Sequence, residues 1–127
     1  MQLLLDTHAL IWHYEDKPLL SEAVNQALDD PLNQVFISTA SLWEMAIKTS
    51  RGKLNLSRPI HEVMSGYAKA GAVILPISPS HALATVSLPW HHRDPFDRML
   101  IAQAQHEGLT LVSRDSMFAS YGLKIMW

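Results

Sequence analysis

The alternation of short apolar runs with helical patterns is the feature that most constrains how this chain can fold. Strand-like apolar runs occur at residues 2–5, 35–37, 72–75, 109–112 and 123–126. Helical patterns lie between them at 7–13, 21–28, 40–49, 60–69, 80–86 and 95–106, with one further helical turn at 115–119. This order is typical of α/β proteins, in which helices cover both faces of a mostly parallel sheet. We therefore predict a three-layer α/β/α sandwich with about five strands.

Proline and glycine mark the limits of several predicted helices. Pro59 and Pro95 suit a first helical position, whereas Gly71 and Gly108 suit the residue after a helix ends. The chain shows no internal repeat and no linker-like segment, and its 127 residues fit one compact core. We expect a single domain spanning residues 1–127.

The composition narrows the expected location and partners. No run of eighteen apolar residues occurs, and Asp6 and His8 interrupt the apolar N-terminal stretch, so we expect neither a membrane span nor a signal sequence. The chain has no cysteine, which suits a reducing compartment. We expect a soluble cytoplasmic protein without a membrane partner. Its net charge of -2 means that any contact with nucleic acid must be local rather than driven by an overall basic field.

Four acidic residues are predicted to meet at one edge of the sheet. Asp6 directly follows the first strand, and Asp115 follows the fourth. Glu44 and Asp97 lie near the starts of the helices at 40–49 and 95–106. Ligands of open parallel sheets bind beyond the carboxyl ends of the strands, so all four side chains are placed where a ligand would be.

Each of these acids also has an ordinary structural interpretation. Asp6 and Asp115 each precede a short helix and can cap it. Asp97 can complement a helix dipole behind the cap residue Asp94. Glu44 can close a capping box with Ser41 or pair with Lys48 one turn along its helix. Capping and site membership therefore both stay open at this point.

Helical spacing indicates that two of the acids point inward. Asp97 shares a stripe with Ile101 and Ala104, and Glu44 shares one with Ile47. Acidic groups are rarely buried without a partner. Capping and helix-dipole effects do not explain why these two acidic side chains should point inward.

A cluster of carboxylates favours a divalent cation. Charges about 5 Å apart at an effective dielectric of about 20 repel by roughly 3 kcal/mol per pair. Oxygen ligands without cysteine suit Mg²⁺ or Mn²⁺ rather than Zn²⁺. A histidine site is not favoured, because the adjacent His91 and His92 point in different directions, and His8 and His13 lack metal-binding spacing.

Four segments, in order, resemble the motifs of the PIN-domain toxins of the VapC family. They are LLLDTHAL at 3–10, STASLWEMAIK at 38–48, HRDPFDRMLIA at 92–102 and LVSRD at 111–115. Each segment carries one of the four acids, and together they extend over nearly the whole chain. The resemblance implies an α/β/α sandwich and a Mg²⁺- or Mn²⁺-dependent endoribonuclease. It also implies a homodimer, an RNA substrate and an inhibiting VapB-like antitoxin.

The same resemblance assigns residue roles. It identifies as catalytic and metal-binding the quartet Asp6, Glu44, Asp97 and Asp115, with Asp6 and Asp97 as direct ligands. It identifies as supporting residues Thr7, Ser113 and Asp94, where Asp94 either joins the site or only caps a helix. Candidates for contact with RNA phosphates are Lys48, Arg98 and Arg114, for which solvated surface is the alternative.

The tryptophans and the rival functions complete the expectations. Trp12, Trp43, Trp90 and Trp127 either pack in the core or form part of an antitoxin groove or dimer surface. A phospho-accepting receiver domain is disfavoured because no aspartate follows the third strand. Two alternatives to a toxin stay open: a catalytically silent PIN-like binding module and a housekeeping RNA-processing nuclease.

Overall fold

The computed structural model describes residues 1–127, which form strands, α-helices and 3₁₀-helices joined by loops and turns. The strands are β1 (Gln2–Leu5), β2 (Gln34–Ser38), β3 (Val73–Leu75), β4 (Thr110–Val112) and β5 (Ile125–Met126). The α-helices are α1 (Thr7–Tyr14), α2 (Glu22–Asp29), α3 (Thr39–Ser50), α4 (His61–Lys69), α5 (Pro79–Ala84) and α6 (Pro95–Glu107). The 3₁₀-helices span Thr85–Ser87 and Ser116–Tyr121.

The strands form one parallel sheet in the order β3-β2-β1-β4-β5. In the register, Leu3 of β1 lies opposite Val35 of β2, and Leu5 lies opposite Val112 of β4. From β1 the chain builds outward in one direction through β2 and β3, and then in the other through β4 and β5. The strand order therefore reverses at the junction of β1 and β4, which is the position where α/β sheets bind ligands.

The central strand explains the three layers. Leu3 and Leu5 belong to one buried cluster and Leu4 to another, because successive side chains of a strand point to opposite faces. The first cluster includes residues of α1, α2, α3 and α4, and the second includes residues of α6 and of the 3₁₀-helix Ser116–Tyr121. Both faces of the sheet are covered, so the predicted α/β/α sandwich with five strands is confirmed.

Several predicted boundaries differ from the structure in ways that have a local cause. The last strand was predicted at 123–126 but covers only Ile125–Met126, since Gly122 is left-handed (φ 76°) where the preceding 3₁₀-helix ends. The helix predicted from residue 60 begins at His61, and the Pro59 carbonyl accepts a hydrogen bond from Glu62 just before it. None of the helices is both long and apolar enough to cross a membrane.

Helix α6 is set by residues at its two ends. The Asp94 side chain accepts hydrogen bonds from the N–H groups of Phe96 and Asp97, and Pro95 occupies the first helical position. Gly108 ends the helix in the left-handed region at φ 67°, where a side chain would be strained. Because Asp94 is the cap, Asp97 is left one turn inside the helix.

A buried cation holds the segment that leads into α6. Arg98 is 5% exposed, and its guanidinium donates to the carbonyls of Pro89 (2.8 Å), Leu88 (3.2 Å), Thr85 (3.1 Å) and His92 (3.3 Å). It also lies 3.7 Å from the centroid of the Trp90 ring. One side chain therefore ties residues 85–92 to α6.

We predict that Arg98→Met lowers the free energy of unfolding by about 3 kcal/mol, because four carbonyls lose the cation to which they are bound. Urea unfolding followed by far-UV circular dichroism measures the change. The exposed Arg93 supplies the matched control, and Arg93→Met should change the stability by less than about 0.5 kcal/mol. Equal effects of the two substitutions would show that the carbonyl network contributes nothing.

Candidate active site

The acidic residues lie around the junction of β1 and β4. Asp6 follows β1 directly, and its N–H donates to the carbonyl of Val112, the last residue of β4 (3.0 Å). Asp115 follows β4 by three residues and lines the same small cavity as Asp6, of about 220 Å³. The structure thus brings these two acids together at the point where the strand order reverses.

Asp97 lies close enough to the other acids to interact with them. Burial raises the pKa of Asp97 to about 7, and the carboxylates of Asp94, Glu44 and Asp6 contribute to this increase, while His92 opposes it. The helical stripe thus correctly predicted an inward direction for Asp97. Glu44 is also turned inward, with only 6% of its surface exposed.

The acids are close, but not closed around one point. Among the histidine and carboxylate groups, only His81, His106 and Glu107 have ligand atoms that all lie within 4.8 Å of one another. No three residues of the quartet meet that distance.

Asp6 combines a helix cap with a position at the site. Its Oδ1 accepts a hydrogen bond from the N–H of Ala9 (2.8 Å) and so caps α1. Burial raises the pKa of Asp6, and the carboxylate of Asp115 adds to this effect. The Ser113 hydroxyl, the Ala9 N–H and the charge of His8 oppose it.

The two predicted supporting hydroxyls lie at the base of the site. Thr7 is buried and donates to the hydroxyl of Ser41 (3.0 Å), which joins α1 to α3. Ser113 is buried beside Asp6, and its hydroxyl accepts a hydrogen bond from the N–H of Asp115 (3.0 Å). The first contact joins the helix that follows Asp6 to the helix that carries Glu44, and the second joins Ser113 to Asp115.

Glu44 has a cationic partner on its own helix. The ammonium of Lys48 lies 2.8 Å from Oε2 of Glu44, one turn along α3. The pairing that the sequence allowed is therefore present. It engages Lys48 with a carboxylate, which leaves this side chain poorly suited to the predicted contact with RNA phosphate.

Asp115 has two hydrogen-bonding partners, one on each oxygen. Oδ1 accepts from the N–H of Met117 (2.9 Å), which caps the 3₁₀-helix Ser116–Tyr121, and Oδ2 lies 2.8 Å from Nε2 of His92. Partial burial acts to raise the pKa of Asp115, but the hydrogen bonds from His92 and Met117 outweigh it, and the pKa is below its ordinary value.

The sequence does not predict a role for His92. The segment at 92–102 begins with this residue, but the adjacent His91 and His92 point in different directions and so do not predict a metal site. His92 acts alone, through a contact with a residue 23 positions later in the chain. The signal that was available is its place at the start of the third motif.

The arginines have different environments, and one prediction is corrected. Arg98 is buried with its guanidinium bound to carbonyls, so it cannot reach a phosphate, and the predicted phosphate contact at Arg98 does not fit this structure. Arg114 is exposed, and its guanidinium lies 4.8 Å from the centroid of the Trp12 ring. Arg114 and Trp12 line the same 220 Å³ cavity as Asp6 and Asp115.

The tryptophans divide into two groups. Trp12 and Trp127 are partly buried and meet edge to face, with ring centroids 5.9 Å apart. Trp43 and Trp90 are 59% and 74% exposed. Core packing therefore does not account for Trp43 and Trp90.

The fold and the site together define a class of protein. It is an α/β/α sandwich with a parallel sheet, whose carboxyl edge carries acids from four separate segments of the chain. The profile of the PIN domain family matches residues 3–124, and the chain belongs to this family. The resemblance inferred from the four motifs is thereby confirmed.

Known proteins similar to this chain agree with that assignment. The chain is 28% identical over 120 residues to Ribonuclease VapC22 of Mycobacterium tuberculosis, and the aligned region covers 94% of this chain and 91% of the relative. The fold is similar to that of VapBC2 from Rickettsia felis bound to a promoter DNA fragment, with a TM-score of 0.72 and 18% identity over 99% of this chain and 98% of the other. It is also similar to DNA-bound VapBC from Salmonella typhimurium, with a TM-score of 0.70 and 19% identity over 99% and 97% of the two chains.

The environment of Asp97 predicts a pH-dependent stability for the metal-free protein. Because its pKa is about 7 in the fold and 3.8 ordinarily, the folded protein retains a proton in this interval that the unfolded chain releases. Stability is therefore lost as the pH rises from about 4 to about 7. Asp97→Asn, which cannot ionise, should escape the loss. In EDTA, its free energy of unfolding should be close to that of the wild type near pH 4 and should exceed it by about 2 kcal/mol at pH 8, which is about half of the full linkage value because solvent screens the partly exposed carboxylate.

Urea titrations at several pH values measure this difference. The exposed acid Glu62 supplies the control, and Glu62→Gln should show no comparable trend. A difference between Asp97→Asn and the wild type that stays constant with pH would refute the raised pKa of Asp97, and with it the burial of this carboxylate among other acids.

Proposed function

We propose that this chain is a Mg²⁺- or Mn²⁺-dependent endoribonuclease that acts as the toxin of a toxin–antitoxin pair. The observation that carries the proposal is the position of Asp6, Glu44 and Asp97 in a PIN-domain fold: they come from three separate segments, and the carboxylates of Glu44 and Asp6 both act to raise the pKa of Asp97. The similarity to Ribonuclease VapC22 supports RNA as the substrate.

The residues present fit a hard divalent cation. The quartet offers only carboxylate oxygens, which are the ligands that Mg²⁺ and Mn²⁺ prefer. Burial raises the pKa of Asp97 to about 7, and the carboxylates of Asp94, Glu44 and Asp6 add to this increase, so a cation beside Asp97 would favour its ionised form. Mg²⁺ usually keeps several waters and takes one or two carboxylates, so a site in which no three acids lie within 4.8 Å of one another suits it. Asp6 and Asp97 are the proposed direct ligands, with Glu44 and Asp115 around them.

The residues of the chain would divide the work of phosphodiester hydrolysis. A bound divalent ion would offset the negative charge that develops on the phosphoryl oxygens, and it would lower the pKa of a bound water. Asp6 and Asp97 would hold it, and Glu44 would lie beside them, paired with Lys48. Thr7 and Ser113 would keep the segments that carry the acids in place through their hydroxyl contacts.

Arg114 is the proposed contact for an RNA phosphate. It is the arginine that lines the cavity shared by Asp6 and Asp115, and its guanidinium lies over the Trp12 ring, 4.8 Å from the centroid. Planar guanidinium groups bind phosphate oxygens well, and stacking on an aromatic ring limits their freedom before the ligand arrives. Arg114 would therefore position the RNA beside the acids.

The proposal extends to the partners. The VapBC structures whose fold this chain shares are complexes, some with DNA, and a VapB-like antitoxin is the proposed partner here. The carboxylates of Asp6 and Asp115, which line the cavity of about 220 Å³, are suited to pair with an arginine side chain from such a partner. A homodimer is also proposed, and the exposed Trp43 and Trp90 are candidates for one of these two surfaces.

Asp97→Asn should abolish Mg²⁺-dependent cleavage of RNA while leaving the protein folded, because the metal loses one of its two proposed direct ligands. Cleavage of a labelled RNA pool on denaturing gels measures this, and Glu62→Gln serves as the folded control with activity retained. A pure Asp97→Asn preparation that still cleaves RNA would contradict the assignment of the site.

The same variants separate the toxin from the two alternatives. Expression of the wild type should arrest growth, and expression of Asp97→Asn should not. Cleavage without growth arrest would indicate a housekeeping nuclease. A wild type that neither cleaves RNA nor binds Mn²⁺ would indicate a silent binding module.

Arg114→Gln should weaken RNA binding about five- to tenfold at low salt and reduce the salt dependence of binding to single-stranded RNA by about 0.7 in log–log slope, since one phosphate contact is lost. Fluorescence anisotropy in the Asp97→Asn background measures both without cleavage. Arg51, exposed at the end of α3, supplies the matched control, and Arg51→Gln should change neither quantity. An unchanged slope for Arg114→Gln would exclude the phosphate contact.

A further inference from the structure

We propose that His92 is a positioning residue of the nuclease site, which orients the Asp115 carboxylate by donating a hydrogen bond from Nε2 to Oδ2. The inference rests on the proposed function, because Asp115 belongs to the proposed quartet. It adds a residue that is not one of the four acids and assigns it a specific atom and a specific protonation form.

The imidazole ring is held in place from two sides. It stacks on Phe118 with ring centroids 4.5 Å apart and an angle of 14° between the planes. The Tyr121 hydroxyl lies 2.8 Å from the backbone nitrogen of His92 and 3.1 Å from Nδ1. Phe118 and Tyr121 are both buried, so the ring has little freedom to turn away from Asp115.

The Tyr121 hydroxyl determines which ring nitrogen carries the proton. The hydroxyl oxygen accepts the backbone N–H of His92, and the two nitrogens of His92 are its only hydrogen-bonding partners. Its own proton is therefore directed at Nδ1, which must accept. Nε2 then carries the hydrogen of the neutral ring and donates it to Asp115 Oδ2 at 2.8 Å.

Both oxygens of Asp115 are consequently oriented by the protein. Oδ2 accepts from His92 and Oδ1 accepts from the N–H of Met117 (2.9 Å). Each oxygen keeps a further lone pair, and Asp115 is 44% exposed toward the cavity that it shares with Asp6. A carboxylate oriented in this way is suited to bind a metal ion, or a water on that ion, in the cavity.

A capping role alone does not account for this arrangement. Asp115 already caps its helix through Met117, and an acid that is 44% exposed is solvated without a histidine partner. Three residues of one short segment, Asp115, Phe118 and Tyr121, contact the same ring. Outer partners of this kind orient metal-site ligands, and their loss typically weakens metal affinity about 10- to 100-fold.

Two substitutions separate the hydrogen bond from the packing of the ring. His92→Phe keeps an aromatic ring on Phe118 but removes the donor, whereas His92→Gln keeps an N–H that can reach Asp115 but loses the ring. The exposed His61 supplies the control His61→Phe. Isothermal titration with Mn²⁺ and steady-state cleavage of one RNA are measured for the wild type and all three variants. The tautomer of His92 is determined from ¹⁵N chemical shifts of the metal-free wild type.

We expect the Nε2–H tautomer in the metal-free protein. We expect Mn²⁺ affinity to fall about tenfold or more in His92→Phe, to return to within about threefold of the wild type in His92→Gln, and to stay unchanged in His61→Phe. For His92→Phe, kcat should fall while KM for RNA stays the same, because RNA contacts are not touched.

Three results would overturn the inference. They are an Nδ1–H tautomer, a Mn²⁺ affinity in His92→Phe equal to that of the wild type, and equal losses in His92→Phe and His92→Gln. The proposed function is tested separately by the wild type. If the wild type binds no Mn²⁺ and cleaves no RNA, the nuclease assignment fails, and the tautomer of His92 alone then decides whether the hydrogen bond to Asp115 exists.

Discussion

Repulsion among carboxylates is the constraint on which the arrangement at the edge of the sheet depends. A parallel sheet brings the carboxyl ends of its strands to one side, and the acids that follow those strands are brought there with them. Burial is the main cause that raises the pKa of Asp97 to about 7, and the neighbouring carboxylates of Asp94, Glu44 and Asp6 add to it. The ammonium of Lys48 reduces the repulsion locally beside Glu44, and the hydrogen bond with His92 stabilises the carboxylate of Asp115. The proposed cation would neutralise what these partners leave.

Capping and membership of the site are compatible rather than competing roles. Asp6 uses Oδ1 to cap α1 and lines the cavity at the β1–β4 junction at the same time. Asp115 caps the following 3₁₀-helix with Oδ1 and contacts His92 with Oδ2. A carboxylate has two oxygens and about four lone-pair positions, so one acid can stabilise a helix start and face a ligand. Asp94 differs, because its Oδ1 caps α6 through two N–H groups and it is exposed.

Buried Arg98 connects the stability of the fold to the site. Its guanidinium holds the carbonyl of His92 together with those of residues 85, 88 and 89. The backbone N–H of His92 also donates a hydrogen bond to the hydroxyl of Tyr121, which lies 29 positions later in the chain. Arg98 follows Asp97 directly and stabilises the segment that precedes α6. Because this segment includes His92, Arg98 helps to position the site without contacting a ligand.

The sequence by itself determined the layers, the elements and the four acids. Alternation along Leu3, Leu4 and Leu5, helical spacing around Asp97 and the proline and glycine positions are local signals, because they depend on residues only a few positions apart. Tertiary structure alone decided the pairing of His92 with Asp115 and the burial of Arg98 under carbonyls. Both depend on contacts between separate segments of the chain, and such contacts leave no periodic pattern in the sequence.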